Sequence, residues 1–364
     1  MSGKRNVAYF MMQRLFFKGK RHTCIYCMKR LNIFYFSGTG NSKQIALWLA
    51  EYALSRSVDS NVSDISNVER IESFDKDDTI VIISPIHGFN YPAITRKFIR
   101  NLPNGSNDVV LMCTRAGMKY KNHVTPGLTG VAFFVSDVAL NRKGYDVIGE
   151  IPFDMPSNWF FIHPSLCKST VDFLFERNRE KAMEQFRILF DKGQNFLSHR
   201  DVIQDILISP ISLGYFLVGR FMFAKSFIAS SECIRCKSCI NRCPVHAIRQ
   251  VDGKPFWTLK CESCMKCMVE CKQQAIEAAH GFIIAATVIS SIIFSALTGL
   301  FLFRFIESRL VSFLVESAFF ILFLCIFYRL QHYMFRFGFF ERAIKYLSLT
   351  YYRFWGKRNG SRLC

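Results

Sequence analysis

Apolar runs alternate with helical patterns over the first part of the chain. "LNIFYF", Leu31–Phe36, predicts a buried strand, and "QIALWLAEYAL" follows it with apolar residues at helical spacing. Asp78–Ile99 and Asp108–Tyr120 repeat the order of strand, loop and helix, and Gly144–Pro156 predicts a last strand. Strands that alternate with helices predict an α/β fold with a parallel sheet, over residues 31–165.

The middle of the chain predicts a connector, residues 166–230. Lys168–Phe196 has apolar residues every three or four positions and predicts a packing helix that ends near Gly193. Residues 203–229 are apolar, but Pro210, Gly214 and Arg220 divide them too finely for a membrane span. This favours a segment that lies on a surface or packs on a domain.

Two long apolar segments follow near the C-terminus. Gly281–Phe303 is uncharged, and Leu310–Tyr328 is interrupted only by Glu316. Their lengths predict a transmembrane helical hairpin at 281–328, with buried core helices as the alternative. Glu316 is costly in lipid, so it is expected to face the partner helix or a cavity.

Charge is concentrated at the two ends of the chain. The net charge is +19. Most of it lies in a basic N-terminal extension, residues 1–30, and in a basic amphipathic tail, residues 329–364. Positive charge beside apolar segments predicts contact with membrane lipid and no nucleic acid. The basic tail and the absence of a secretory signal predict a multi-pass protein of the cytoplasmic membrane, with its other domains facing the cytoplasm.

Eight of the 14 cysteines form two repeated runs. Cys233, Cys236, Cys239 and Cys243 have the spacing C-x2-C-x2-C-x3-C, and Cys261, Cys264, Cys267 and Cys271 repeat it. This spacing predicts a metal framework in a reducing compartment rather than disulfides. Zinc is the alternative, but zinc sites usually use two separated CxxC pairs. Cys24 and Cys27 form an isolated CxxC, which is a weak metal signal.

The segment "SGTGNSKQ", which follows the first predicted strand, has the composition of a phosphate-binding loop. Strand, Gly/Ser/Thr loop and helix is the geometry in which backbone N–H groups and a helix N-terminus hold a phosphate. The loop lacks both the GxxxxGK[ST] and the GxGxxG patterns, which favours a monophosphate. The alternative is an ordinary turn with Asn41 or Ser42 as the helix N-cap.

"SGTGNS", "SPIHGFNYP" and "CTRAG", each placed after a predicted strand, resemble the three loops of flavodoxin, which implies FMN. Arg115 and Met118 stand where short flavodoxins have acidic and aromatic residues. By this resemblance the phosphate contacts are Ser37, Gly38, Thr39, Gly40, Asn41 and Ser42. The flavin ring would lie between Pro85, His87, Gly88 and Phe89 on one side and Thr114, Ala116 and Gly117 on the other. His87 is either a proton donor near the flavin or a histidine held by its own loop.

The cysteine runs resemble a bacterial ferredoxin with two [4Fe–4S] clusters, as a small α+β domain at 231–279. The resemblance implies that the fourth ligand crosses over between the runs. The first cluster would take Cys233, Cys236, Cys239 and Cys271. The second cluster would take Cys261, Cys264, Cys267 and Cys243. Lys272 follows Cys271 where proline is common.

As a whole, the chain resembles the flavodoxin–ferredoxin fusion family of anaerobic electron-transfer proteins. The resemblance implies a membrane-anchored relay between FMN and two [4Fe–4S] clusters, with a soluble donor or acceptor, a membrane redox complex or a quinone as partner. Two alternatives remain open: a flavin-dependent reductase of a small molecule such as a quinone, and a non-redox iron–sulfur sensor. Whether the chain is itself an enzyme is left open.

Overall fold

The computed structural model describes residues 30–69, 71, 73–120, 123–219, 226–301, 309–334, 337 and 344–360. The chain divides into two compact units. The first comprises Met1–Ser157 and Lys168–Leu213, and the second comprises Asn158–Cys167 and Gly214–Cys364. The expectations for the N-terminal extension, for Cys24 and Cys27 and for much of the basic tail lie outside the described residues.

The first unit contains seven strands and five helices among its described residues. The strands are β1 Arg30–Tyr35, β2 Asp59–Asp64, β3 Asp78–Pro85, β4 Asp108–Tyr120, β5 His123–Thr125, β6 Asp146–Pro156 and β7 Asn195–Phe196. The helices are α1 Asn41–Ser55, α2 Ala93–Asn101, α3 Ala132–Asn141, α4 Lys168–Lys192 and α5 Val202–Gly214, the last of which extends one residue past the unit. Short 3-10 turns cover Ile65–Asn67 and Leu197–Arg200.

The sheet has the order β2-β1-β3-β4-β6-β7, and these neighbours are parallel, whereas β5 pairs antiparallel with β4. The predicted parallel α/β sheet is therefore confirmed. The chain leaves β1 toward β2 on one side and returns to β3 on the other. This reversal of strand order makes a crevice at the carboxyl ends of β1 and β3, where open α/β sheets bind ligands.

Helices cover both faces of the sheet. On one face, α1 and α4 pack together, with Trp48 of α1 edge-on to Phe175 of α4 at 6.4 Å between ring centroids. On the other face, Phe98 of α2 lies 4.9 Å from Phe34 of β1. The central strands are buried on both faces, which explains their nearly continuous apolar sequences.

Two segments differ from the sequence expectation. "CTRAG" is not a loop, because β4 continues through it to Tyr120 and pairs with β6 as far as Gly117 opposite Pro156. Pro210 does not divide its segment: α5 runs through it from Val202 to Gly214, and a π-helical turn, Tyr215–Gly219, follows. Gly193 ends α4 as expected, in a left-handed conformation with φ of +74°.

The second unit is built from short elements followed by two long helices. The strands are β8 Phe227–Ala229, β9 Ile248–Val251, β10 Lys254–Trp257 and β11 Ile276–Ala278. The helices are α6 Ser238–Asn241, α7 Lys266–Glu270, α8 His280–Phe301 and α9 Arg309–Met334. β8 pairs antiparallel with β11, and β9 pairs antiparallel with β10.

The part of the second unit that carries the cysteine runs consists of two similar halves, related by a shift of 28 residues (Cys233 to Cys261). Under this shift β8 corresponds to β10, β9 corresponds to β11, and α6 corresponds to α7. The hydrogen bonds repeat as well. Ser230 N–H donates to the Ala275 carbonyl at 2.8 Å, and the matching Thr258 N–H donates to the Ala247 carbonyl at 2.7 Å. The repeat seen in the sequence is therefore also a repeat of structure.

The predicted membrane hairpin is not supported. Helices α8 and α9 form at its position, but no helix in the described part of the chain has both the length and the apolar character needed to cross a membrane. The first turn of α8 belongs to the protein's own core, since Ile283 packs into the apolar cluster of the second unit. Helix α9 includes Arg309, Glu316 and Arg329, and Glu316 accepts a hydrogen bond from Ser312 within the helix at 3.0 Å.

Candidate functional site

The predicted phosphate loop lies between β1 and the N-terminus of α1. Gly40 is the N-cap of α1 with φ of +104°, a left-handed conformation that favours glycine, and no side chain caps the helix. Its N–H donates a hydrogen bond to the Ser37 hydroxyl oxygen at 3.0 Å, which closes the loop into a tight turn. The first N–H groups of a helix have no partner within the helix, so a capless N-terminus leaves donors for an anion.

Two hydrogen bonds connect the start of α1 to the neighbouring strands. The buried Ser42 hydroxyl lies 2.9 Å from the Thr114 hydroxyl of β4, and Asn41 donates its side-chain N–H to the Pro156 carbonyl at 2.8 Å. Asn41 and Ser42 thus use their side chains to position the helix start, while their backbone N–H groups remain at its open end. An ideal Cβ on Gly40 meets no atom within 4 Å, so there is open space at this point of the loop.

The segment after β3 forms a tight turn beside this loop. His87 and Asn90 exchange backbone hydrogen bonds, and Gly88 and Phe89 between them have φ of +55° and +65°. Two successive positive φ values define a type I′ turn, which is unusual for a phenylalanine. The Phe89 carbonyl accepts hydrogen bonds from Val131 N–H at 3.0 Å and from the Ser212 hydroxyl at 3.2 Å, so the turn is held from outside.

Thr114, Ala116 and Gly117 lie on strand β4 rather than in a loop. Side chains alternate along a strand, so Thr114 and Ala116 share one face of β4, and Thr114 reaches the start of α1 from it. Gly117 lies against β6, since a Cβ there would come within 2.4 Å of the Asp154 carbonyl. The structure thus brings Thr114 to the phosphate loop and places Pro85 directly opposite it on β3.

Arg115 lies on the opposite face of β4, in a buried charge cluster that sequence reasoning missed. Its side chain donates to Asp154 at 2.7 Å, to Asp201 at 2.6 Å and to the Thr129 hydroxyl at 2.9 Å, and it is only 4% exposed. Burial alone lowers the pKa of Arg115, but Asp154 and Asp201 raise it by more, so the guanidinium stays charged.

A third carboxylate stands next to this cluster. Asp205 accepts a hydrogen bond from the Gly130 N–H at 2.7 Å, and burial raises the pKa of Asp205 to about 6, with Asp201 adding to the rise. The residues around it also border a cavity of about 430 Å³, whose lining includes Leu128, Asp201 and Gln204. None of the predicted phosphate contacts borders this cavity.

The structure groups the eight cysteine thiols across the two runs. Burial raises the pKa of Cys239 to about 11, and the thiols that raise it further are Cys233, Cys271 and Cys236. Burial also raises the pKa of Cys261, and its neighbouring thiols are Cys267, Cys264 and Cys243. Each of these two cysteines therefore has as neighbours two thiols of its own run and the last thiol of the other run, and Cys267 of the second run also has Cys239 of the first as a neighbour. In the described part of the chain, no three His, Cys, Asp or Glu side chains surround a single-ion site.

Backbone N–H groups point at the last cysteine of each run. Ala247 N–H donates to Cys243 Sγ at 3.2 Å, and Ala275 N–H donates to Cys271 Sγ at 3.4 Å. Residues with positive φ recur in both halves: Arg235 and Lys237 in the first run, and the matching Ser263 and Met265 in the second. Such turns aim consecutive N–H groups into a concave loop, which suits an anionic iron–sulfur cluster.

Comparison with known families assigns one domain to each unit. A flavodoxin domain model matches residues 32–123, and a 4Fe–4S binding domain model matches residues 227–249. The chain thus joins a flavodoxin-like domain to a 4Fe–4S ferredoxin-type domain. The second model covers only the first cysteine run. No curated protein matches the chain.

Several solved structures are similar to part of this chain. Oxidised flavodoxin 1 from Bacillus cereus is 14% identical over 43% of this chain and 95% of its own, with a TM-score of 0.32. A Fusobacterium nucleatum flavodoxin mutant bound to flavin mononucleotide is 16% identical over 44% of this chain and 96% of its own, with a TM-score of 0.27. The flavodiiron protein from Giardia intestinalis is 12% identical over 46% of this chain and 38% of its own, with a TM-score of 0.28.

Proposed function

We propose that this protein transfers electrons and that it binds FMN in the first unit and two [4Fe–4S] clusters in the second. The observation that carries the proposal is the grouping of eight cysteines into two crossed sets in a structurally repeated frame. A flavin exchanges one or two electrons, and each cluster exchanges one. The flavodoxin-domain match in the other unit supports the flavin half of the proposal.

The donors of the phosphate loop fit the phosphate of FMN. We assign Ser37 and Thr39 as hydroxyl donors and the N–H groups of Asn41 and Ser42 as backbone donors at the open start of α1. Gly38 and Gly40 let the backbone approach closely, and the space beside Gly40 can hold phosphate oxygens. The helix dipole adds a favourable interaction with the dianion.

The flavin ring is assigned to the carboxyl ends of β3 and β4, beside the crevice at β1 and β3. One side is formed by the residues at the end of β3 and its I′ turn, and the other by residues of β4. The two sets are Pro85, His87, Gly88 and Phe89, and Thr114, Ala116 and Gly117. Arg115 lies on the other face of β4 and forms ion pairs with Asp154 and Asp201. We therefore assign it no contact with the flavin.

The ligand sets we propose are the crossed ones. Cys233, Cys236, Cys239 and Cys271 would hold the first cluster, and Cys261, Cys264, Cys267 and Cys243 the second. Although the family model covers only the first run, the second half repeats its fold, its positive-φ turns and its N–H···S hydrogen bond. This repetition supports two clusters rather than one.

We further propose that the protein associates with the cytoplasmic face of a membrane. Helices α8 and α9 expose large apolar side chains, among them Ile284 at 63%, Ile292 at 64% and Phe313 at 65%. Exposed apolar surface of this kind favours lipid contact. We expect the purified protein to float with phospholipid vesicles in a density gradient. A protein that stays at the bottom of the gradient and remains monomeric without detergent would contradict this assignment.

An anaerobic dithionite titration of the purified protein tests the electron-transfer proposal. We expect about four electrons per chain, two for the flavin and one for each cluster. Replacing Ser37 and Thr39 by alanine should reduce the capacity by the two flavin electrons, whereas the matched Ser55→Ala change at the far end of α1 should not. A capacity of two electrons or fewer in the unaltered chain would refute the proposal.

A further inference from the structure

The two cysteine runs differ in how the protein covers them. At positions matched by the 28-residue shift, Ser263 and Met265 of the second run are 1% and 2% exposed. Their counterparts in the first run, Arg235 and Lys237, are exposed. The same left-handed backbone therefore carries buried small or apolar side chains in one run and exposed cationic ones in the other.

Apolar and aromatic residues enclose the second run. Trp257 and Met268 are each 1% exposed and belong with Phe160 to one core cluster. Trp159 donates its ring N–H to the Ser263 hydroxyl at 3.3 Å, within the same cover.

The first run, by contrast, is open to solvent. Cys236 is the exposed thiol among the eight, and Ile234 beside it is 64% exposed. Within Cys233–Cys243 there are three basic residues and no acid, whereas Cys261–Cys271 contains one lysine and two glutamates. Lys272, which follows the crossing ligand Cys271, is exposed as well.

We define the first-run surface as Ile234, Arg235, Cys236, Lys237 and Lys272. It combines one apolar side chain, an exposed ligand thiol and three cations, which is the anatomy of a small transient interface that recognises an acidic partner. Arg235 lies beside Gly253 in the turn between β9 and β10, since its Nη1 is 3.1 Å from an ideal Cβ built on that glycine.

We propose that the first-run surface docks a small electron-transfer protein with an acidic face, and that electrons enter or leave the second unit through the first cluster. This inference rests on the proposed function, because it assigns the partner of one of the proposed clusters. With a cluster held by Cys233, Cys236, Cys239 and Cys271, one electron would pass between it and the partner's one-electron centre, in either direction. The donor is oxidised by one electron, the acceptor is reduced by one, and no bond forms or breaks.

The test compares two double variants that remove the same charge. Arg235→Gln with Lys237→Gln alters the first-run surface, and Lys260→Gln with Lys266→Gln alters the surroundings of the second run. The probe is a reduced, acidic bacterial-type ferredoxin. Binding to the oxidised full-length chain is mapped by carbodiimide cross-linking and mass spectrometry, and electron transfer is followed by anaerobic stopped-flow absorbance at several salt concentrations.

We expect cross-links from probe carboxylates to Lys237 and Lys272, and an electron-transfer rate constant that falls as salt rises. The first double variant should lower the rate constant about tenfold at low salt, and the second by less than about twofold. Equal effects of the two variants, or cross-links spread evenly over the surface lysines, would overturn the inference. Binding to anionic vesicles that is lost in the first variant would likewise overturn it in favour of lipid.

Iron analysis of the same samples separates this inference from the proposed function. Eight irons per chain with equal effects of the two variants would defeat the docking surface alone. About four irons, with the first variant still slowing transfer tenfold, would defeat the two-cluster proposal and leave the docking surface standing.

Discussion

Replacing Arg115 by methionine tests the buried charge cluster most severely. The side chain is 4% exposed and donates to Asp154 and Asp201, which are themselves only 14% and 16% exposed. Methionine fills a similar volume but leaves Asp201 without this cation and leaves Asp154 with only the longer contact to Lys181, at 3.4 Å. Breaking a buried pair by removing one partner costs about 3–5 kcal/mol, because the remaining charge is not compensated.

Hydrogen exchange of the full-length protein, measured by mass spectrometry, isolates this effect. Peptides from β1, β3 and β4 report the opening of the first unit alone, so the second unit does not interfere. A loss of about 3–5 kcal/mol should speed exchange of the slowest amides by a few hundred- to a few thousand-fold.

The matched control is Arg56→Met. Arg56 pairs with Asp191 through side chains that are 44% and 41% exposed, so its loss should cost less than about 1 kcal/mol. If the slowest amides exchange no faster in Arg115→Met than in Arg56→Met, then Arg115 does not neutralise buried carboxylates and our description of the cluster is wrong.

Three further predictions follow from single residues. Burial raises the pKa of Asp205 from 3.8 to about 6, so the folded chain holds that proton more tightly than the unfolded chain. The free energy of unfolding should therefore fall as pH rises from 3.8 to about 6. Asp205→Asn should remove this decline in urea unfolding measured across that pH range. Gly40→Ala forces a Cβ into a φ of +104°, so FMN should bind at least about tenfold more weakly by fluorescence titration, whereas Gly214→Ala, at ordinary φ and also in open space, should leave binding unchanged. Cys271→Ala should lower the iron content by about four atoms per chain, and Cys113→Ala, which removes a buried core thiol, should lower it by none.

Much of the first unit could be predicted from local pattern. The strands near residues 31, 78 and 146 are apolar runs of strand length. The loop before α1 has the Gly/Ser/Thr composition that is typical of a phosphate-binding loop. These features are encoded within about ten residues of sequence, so one sequence is enough to find them. The cysteine spacing is equally local, and it is the reason that the repeat of the second unit could be expected.

The misses involve contacts between distant residues. The sequence near Arg115 does not show that its partner is Asp201, 86 positions further on. Without such long-range contacts, the local pattern predicts a loop at "CTRAG" where the structure has a strand. The membrane hairpin was predicted from hydropathy alone, which does not reveal that Ile283 is part of a protein core. The helix through Pro210 shows the same limit, because tertiary contacts such as Ser212 to Phe89 outweigh local helix propensity.

The most direct test of the central claim is the cofactor content of the full-length protein, purified without oxygen. Flavin, iron and acid-labile sulfide are measured per chain in one sample, and the released flavin is identified by chromatography. We expect one FMN, eight irons and eight sulfides, within about 20%. Eight irons without flavin would contradict the assignment of the phosphate loop, and flavin with no iron–sulfur cluster would contradict the assignment of the eight cysteines.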